Sequence, residues 1–157
     1  MEKTIPLTQA FFDENAARLK YLETTGRTEV SNAIKTAKEF GDLSENAEYT
    51  AAKNAQERLE IEIAQLSEML SKAYPIDLSL LGTKTVAVGN KVKIYDCEFD
   101  EEIEYQIVSS VEANSEKCKI SDVSPLGKAL MGHKAGETVV AKTPGGEIEL
   151  KILNISK

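Results

Sequence analysis

The chain has 157 residues, and its 19 Lys and Arg against 26 Asp and Glu give a formal net charge of −7. That length suits one domain or two small ones, and 29% charged with 41% hydrophobic residues fits neither a membrane-inserted nor a compositionally disordered protein. The acidic balance argues against sequence-independent binding to duplex DNA, which needs many cations to displace phosphate counterions. With no secretory signal pattern at the N-terminus, we expect a cytoplasmic protein without a membrane partner.

Apolar residues recur at helical spacing through the first 73 positions. One run comprises Phe12, Ala16, Leu19, Leu22, Val30, Ile34 and Ala37. A second run has gaps of 3 and 4 residues, which are typical of a coiled-coil seam, and comprises Ala52, Ala55, Leu59, Ile63, Leu66, Leu70 and Ala73. The two runs predict an antiparallel helical hairpin whose returning helix covers roughly residues 45 to 73. Gly26 and its neighbouring threonines predict a kink in the first helix.

The turn between the two predicted helices is rich in carboxylates. Asp42 and Glu45 have the spacing of a capping box, in which Asp42 would accept from the third helical N–H and Glu45 would reach back. The same two side chains are hard-oxygen ligands suited to Mg²⁺, which takes one or two protein carboxylates alongside phosphate oxygens. Phe40 and Leu43 are expected to pack the end of the seam. From spacing alone, both the capping and the metal interpretation stay open.

The second half changes to short alternating or β-branched runs that predict strands. These cover residues 86–88, 91–95, 103–109, 117–121, 138–143 and 147–155, with a short helix at 125–131. Pro144-Gly145-Gly146 predicts a hairpin turn. The fold class is therefore α+β, with a coiled-coil hairpin at 1–76, a linker at 77–84 and a small domain at 85–157.

Two motifs resemble those of the bacterial Gre transcription elongation factors, which act in transcript cleavage. The first is Gly41-Asp42-Leu43-Ser44-Glu45-Asn46-Ala47-Glu48-Tyr49, followed by Ala51-Ala52-Lys53 and Gln56. The second runs from Ser124 to Gly132 as SPLGKALMG and continues with Gly136-Glu137-Thr138-Val139 and Thr143-Pro144-Gly145-Gly146. The resemblance covers essentially the whole chain and is strongest to the GreA type, because the hairpin has few cations beyond Lys38 and Lys53.

This resemblance implies a monomeric factor that inserts its coiled coil into the secondary channel of bacterial RNA polymerase. An FKBP-like C-terminal domain would dock at the channel mouth, and Ser124, Pro125 and Gly127 are candidates for that contact. Asp42 and Glu45 would help to hold a second Mg²⁺ in the polymerase active centre, with no cofactor bound tightly to the isolated protein. Lys38, Lys53, Asn46 and Tyr49 would contact the 3′ end of backtracked RNA. For the lysines a solvated helix face, and for Asn46 and Tyr49 a role in bracing the turn, remain alternatives.

The resemblance implies a protein cofactor that stimulates RNA cleavage by the polymerase and is not itself a nuclease. A channel-blocking inhibitor on the same scaffold is the main alternative, and the Asp42/Glu45 pair favours the stimulator. A peptidyl-prolyl isomerase is poorly supported, since the chain has only 9 Tyr and Phe and no Trp to line a proline pocket. A coiled-coil adaptor without chemistry would tolerate changes to both acids. The single histidine, His133, excludes a histidine-rich metal site within one subunit, and two cysteines are too few for a disulfide scaffold or a zinc site.

Overall fold

The computed structural model describes residues 2–42 and 45–157, which form two compact units. The first unit is built from residues 2–3 and 12–73, and the second combines residues 4–11 with residues 74–157. This division differs from the predicted one in two ways. Residues 4–11 belong with the C-terminal unit, and the predicted linker 77–84 lies inside that unit.

The first unit is a helical hairpin, as predicted. Helix α1 (Gln9–Tyr21), which begins in the second unit, leads through a π-helical turn (Leu22–Gly26) into α2 (Arg27–Lys38), and α3 (Ala47–Lys72) forms the returning arm. Contacts between the arms run in opposite order along the chain: Arg18 binds Glu62, Arg27 binds Glu60, and the carbonyl of Ala37 binds Asn46. The two arms are therefore antiparallel.

The predicted kink site holds the π-helical turn, where the helix accommodates an extra residue. Gly26 is buried there, and a Cβ added to it would lie 3.1 Å from Cδ1 of Leu59. The hydroxyls of Thr24 and Thr28 donate to backbone carbonyls four residues earlier, at 2.8 and 3.1 Å. A small residue at position 26 thus lets the opposite arm approach closely.

The seam between the arms has a small aliphatic core. Leu22, Leu59 and Ile63 are buried, with Leu19, Val30 and Leu66 packed around them. Every predicted seam residue of the second run is buried or half-buried, which confirms that pattern. On the first arm Ala16 is exposed and Asn15 is half-buried instead. At 100° per residue, position 15 lies between Phe12 and buried Leu22 around the helix, whereas position 16 lies outside that face.

The second unit is an α+β domain around a five-stranded mixed sheet. Its strands are β3 (Lys91–Asp96), β4 (Glu101–Val108), β5 (Lys119–Ser121), β6 (Thr138–Thr143) and β7 (Gly146–Ser156), in the order β5-β4-β3-β7-β6. Only β4 and β5 pair in parallel. A separate two-stranded sheet joins β1 (Ile5–Leu7) to β2 (Ala73–Pro75). The predicted strand at 86–88 is wrong: Val86 is buried and exchanges backbone hydrogen bonds with Gly132 and His133, but no strand forms there.

Alternation along the strands buries one face of the sheet against helix α4 (Pro125–Leu130). The largest fully buried side chains of this core are Ile94, Ile107, Leu130, Leu150 and Ile152. The predicted turn at Pro144-Gly145-Gly146 is confirmed, with Thr143 paired to Gly146, whose φ of +123° favours glycine. Among the described residues, no helix is long and apolar enough to cross a membrane.

Candidate functional site

The tip of the hairpin begins where α2 ends at Lys38. The N–H groups of Glu39 and Phe40 donate to the carbonyls of Thr36 and Ala37 at 3.1 and 3.2 Å, which tightens the last turn. Gly41 follows with φ at +107°, a left-handed conformation that a side chain would strain. The glycine therefore stops the helix and turns the chain toward the acidic residues.

Asn46, rather than Asp42, caps the returning helix. Its side-chain oxygen accepts from the N–H of Tyr49 at 3.0 Å, and its amide donates to the Ala37 carbonyl at 2.6 Å. The predicted capping box is thus wrong, because α3 begins at Ala47, four residues later than that box requires. Asn46 ties the last turn of α2 to the first turn of α3, which supports the bracing alternative for this residue.

Asp42 and Glu45 are both exposed in the segment before α3. Leu43, which was predicted to pack the seam, lies between them outside the described residues. Across the described part of the chain, no group of three or more His, Cys, Asp and Glu side chains is arranged to hold a metal ion. The donor chemistry of the pair fits Mg²⁺, but two carboxylates leave most of the coordination to another molecule.

Lys38 and Lys53 come together in one groove between α2 and α3. The groove is lined by Ser31, Ile34, Lys35, Lys38, Lys53 and Gln56. The Nζ of Lys53 donates to Oε1 of Gln56 at 3.0 Å, which orients one lysine along the groove. Lys35 is a cation that sequence analysis missed. Its signal was available, since positions 31, 34, 35 and 38 share one face of an α-helix.

A second groove lies on the other side of α2. It is lined by Glu29, Asn32, Ala33, Thr36, Ala37, Glu48, Ala51 and Ala52. At 100° per residue, its α2 residues are centred about half a turn from the lysine-lined positions. The two sides of the hairpin near the tip therefore differ in charge, with three lysines on one and two glutamates on the other.

The aromatic side chains near the tip differ in exposure. Tyr49 is half-buried in the first turn of α3, whereas Phe40 is 68% exposed. The prediction that Phe40 packs the end of the seam is wrong, because the seam closes one turn earlier on buried Ala37. Phe40 lies two residues beyond the end of α2, and none of the described helices covers its side chain.

In the second unit, the motif around Ser124 starts helix α4. The Ser124 hydroxyl accepts from the N–H of Gly127 at 3.1 Å and donates to the Ser121 carbonyl at 2.6 Å, and Pro125 occupies the first turn. A Cβ on buried Gly127 would lie 1.9 Å from the Ser121 oxygen, so glycine is required there. Of the three predicted docking residues, only Pro125 is exposed, beside exposed Val123.

Both units match family models. Residues 5–74 match the model described as transcription elongation factor, N-terminal, and residues 81–157 match transcription elongation factor, GreA/GreB, C-term. The chain therefore belongs to the GreA/GreB family of transcription elongation factors, and the resemblance noted in the sequence is confirmed.

Within that family the chain is of the GreA type. It is 47% identical over 157 residues to transcription elongation factor GreA of Thermoanaerobacter pseudethanolicus, covering 100% of both chains. It is also 47% identical over 155 residues to the GreA of Acetivibrio thermocellus, covering 99% of this chain and 98% of that one. A solved structure of GreA factor homolog 1 from Thermus thermophilus shares 29% identity over 99% of this chain and 100% of that chain, with a TM-score of 0.44.

Proposed function

We propose that this elongation factor binds bacterial RNA polymerase and stimulates the polymerase to cleave backtracked nascent RNA. The hairpin would enter the secondary channel, and the second unit would bind at the channel mouth. The returning helix α3 has 26 residues and spans about 39 Å at 1.5 Å per residue, enough to carry the tip deep into a channel. The hairpin is narrow, because its core consists of a single seam.

The observation that carries this proposal is the identity of the residue that caps α3. Asp42 and Glu45 have the spacing of a capping box, yet Asn46 fills the capping position. Both carboxylates lie before the residue that caps α3, and both are exposed at the tip. Two exposed carboxylates at the end of a long hairpin suit an active site that another protein completes.

Asp42 and Glu45 would supply negative charge and placement within the polymerase active centre. When bound between these carboxylates and polymerase ligands, Mg²⁺ would activate water and stabilise the charge that develops at the scissile phosphate. The carboxylates themselves form no bond to RNA. The factor is thus a cofactor of the polymerase rather than a nuclease.

The lysine-lined groove would receive the backbone of the extruded RNA. Lys38 lies four positions before Asp42, and Lys35 and Lys53 extend the positive charge away from the tip. Phosphate contacts of this kind fix register without reading sequence. The groove would thereby orient the RNA 3′ segment relative to the tip carboxylates.

The test uses an elongation complex backtracked by nucleotide omission, with 5′-labelled RNA, Mg²⁺ and saturating factor. Asp42→Asn and Glu45→Gln keep the shape of each side chain and remove its charge. We expect each variant to lower the rate of stimulated cleavage at least about 100-fold, since a catalytic ion contributes several kcal/mol of charge stabilisation. The matched control is Glu57→Gln, which neutralises an exposed carboxylate elsewhere on α3.

Affinity for polymerase, measured in parallel by competition, should stay within about two-fold of the wild-type value. Loss of binding together with cleavage would mean that the acids are structural. Slower nucleotide addition without RNA shortening would instead indicate the channel-blocking inhibitor.

A further inference from the structure

The most completely buried carboxylate among the described residues belongs to Glu112, in the second unit. Its side chain is 1% exposed and accepts three hydrogen bonds. The backbone N–H of Thr8 donates to Oε1 at 2.9 Å, the Thr8 hydroxyl donates to Oε2 at 2.6 Å, and the ammonium of Lys119 donates to Oε2 at 3.0 Å. We call these three residues the Glu112 clamp.

The clamp acts on the first turn of helix α1. Thr8 directly precedes α1, and its hydroxyl oxygen accepts from the N–H of Phe11 at 3.4 Å, as an N-cap does. In a capping box, a Glu or Gln three residues after the cap reaches back to the cap's own N–H. This chain has Phe11 at that position and no acidic residue in the first turn of α1, so Glu112 supplies the missing carboxylate from 104 residues away.

The surroundings of Glu112 make the clamp a rigid one. Lys119, on strand β5, is 24% exposed and balances the buried charge, and β5 pairs with β4 of the five-stranded sheet. A buried carboxylate with three donors holds its geometry closely, because losing any donor leaves charge uncompensated in a medium of low dielectric constant. The start of α1 is thereby fastened to the sheet of the second unit.

We infer that Glu112 is a positioning residue for stimulated RNA cleavage, an inference that rests on the proposed function. Helix α1 begins in the second unit and continues as the first arm of the hairpin. Fraying of the first turn of α1 would add flexible residues at the base of the arm that ends at the tip carboxylates. The clamp opposes this fraying by holding that turn.

The experiment uses three variants that disrupt the clamp: Glu112→Gln, Thr8→Val and the double variant that carries both changes. They are compared with Thr8→Ser, a conservative variant that keeps the hydroxyl. The control is Glu116→Gln, which changes an exposed carboxylate in the 3₁₀ turn at Ser115–Lys117. Three quantities are measured for the full-length proteins: amide hydrogen exchange at Thr8 and Phe11, affinity for the backtracked complex, and the cleavage rate at saturating factor.

We expect faster exchange at both amides in Glu112→Gln and Thr8→Val. Their saturating cleavage rates should fall about ten-fold to a hundred-fold, since misplacement of about 1 Å has effects of that size. The affinity for the backtracked complex should change less than about two-fold. Thr8→Ser should cleave at about the wild-type rate. The cleavage rate of the double variant should fall no further than that of the slower single variant.

A merely structural role would lower the melting temperature and leave the saturating cleavage rate unchanged at temperatures well below melting. That result overturns the inference while wild-type cleavage upholds the proposed function. Absence of cleavage with the wild-type protein would refute the proposed function itself, and the positioning role with it. If Glu112→Gln fails to fold, the Thr8→Val result decides between the two roles, because this variant retains the Glu112 carboxylate and removes only the hydroxyl donor.

Discussion

At the scale of single residues, the tip shows how one side chain decides the role of its neighbours. The side-chain oxygen of Asn46 accepts from the N–H of Tyr49, and its amide donates to the carbonyl of Ala37. Asn46 therefore joins the C-terminal end of α2 to the N-terminal end of α3. With the cap taken, Asp42 and Glu45 are exposed beside Gly41, whose left-handed conformation ends the first arm. An amide suits this bridging role because it donates and accepts, whereas a carboxylate only accepts.

Lys35 is expected to contribute to the binding of extruded RNA. Because it shares the groove with Lys38 and Lys53, Lys35→Gln should weaken the binding of extruded RNA about as much as Lys38→Gln does. The measurement is crosslinking of the RNA 3′ segment to the factor in backtracked complexes across a salt series. Each variant should also make the slope of log affinity against log salt concentration less negative. The slope should change by about 0.7 for each phosphate of the single strand that the factor no longer neutralises.

Lys20→Gln serves as the control, since Lys20 is exposed on α1 and lines no part of the groove. A Lys35→Gln variant that crosslinks and cleaves as well as the wild type would remove Lys35 from the proposed RNA path.

At the scale of elements, the two arms are held by an aliphatic seam with ion pairs along its edges. Full burial of an aliphatic side chain contributes about 1.5 to 3 kcal/mol, so Leu22, Leu59 and Ile63 account for most of what holds the arms together. The exposed pairs Arg18–Glu62 and Arg27–Glu60 contribute less and fix the register of one arm against the other. Toward the tip the seam narrows to alanines, which keeps that end of the hairpin slender.

The Arg27–Glu60 pair gives the hairpin a predicted acid sensitivity. Hydrogen bonds from the Arg27 guanidinium lower the pKa of the Glu60 carboxyl below its ordinary value. A carboxyl with a depressed pKa in the folded state stabilises the protein above its unfolded pKa of about 4.3, and this stabilisation disappears as pH falls through the lower folded value. Glu60→Gln should therefore melt at a lower temperature than the wild type at pH 7.

The difference between the two melting temperatures should shrink as pH falls below about 4.3, and should also shrink in 1 M salt. Glu57→Gln, which neutralises an exposed carboxylate on the same helix, should show no comparable trend. A difference that stays constant down to pH 3 would assign the effect to helix propensity rather than to the ion pair.

At the scale of the whole molecule, residues 4–11 belong to the C-terminal unit. Leu7 is fully buried, its carbonyl accepts from the N–H of Ile76 at 2.8 Å, and Thr8 holds Glu112. The second unit is thus assembled from two separate stretches of chain. Its stability therefore depends on residues that lie on both sides of the hairpin in the sequence.

This assembly predicts that a fragment of residues 74–157 is less stable than the same unit in the full chain. Loss of buried Leu7 and of the donors to Glu112 should cost about 3 kcal/mol or more. A synthetic peptide of residues 2–11 should raise the melting temperature of the fragment, and above its Kd the rise should grow with the logarithm of the peptide concentration. Calorimetry with the matched peptide carrying Thr8→Val should show a smaller rise, and a fragment as stable as the full chain would contradict the assembly.

The sequence by itself determined the elements whose signals are local. The 3 and 4 spacing of aliphatic residues predicted the hairpin, alternation predicted five of the six proposed strands, and the motif at 41–49 identified the family, because each depends on residues near one another in the chain. Only the tertiary structure decided that Asn46 caps α3, that Phe40 is exposed, that Lys35 joins the basic groove and that Thr8 meets Glu112. Those features depend on which of several chemically suitable groups the fold brings within hydrogen-bonding distance, and a contact across 104 residues leaves no periodic trace in the sequence.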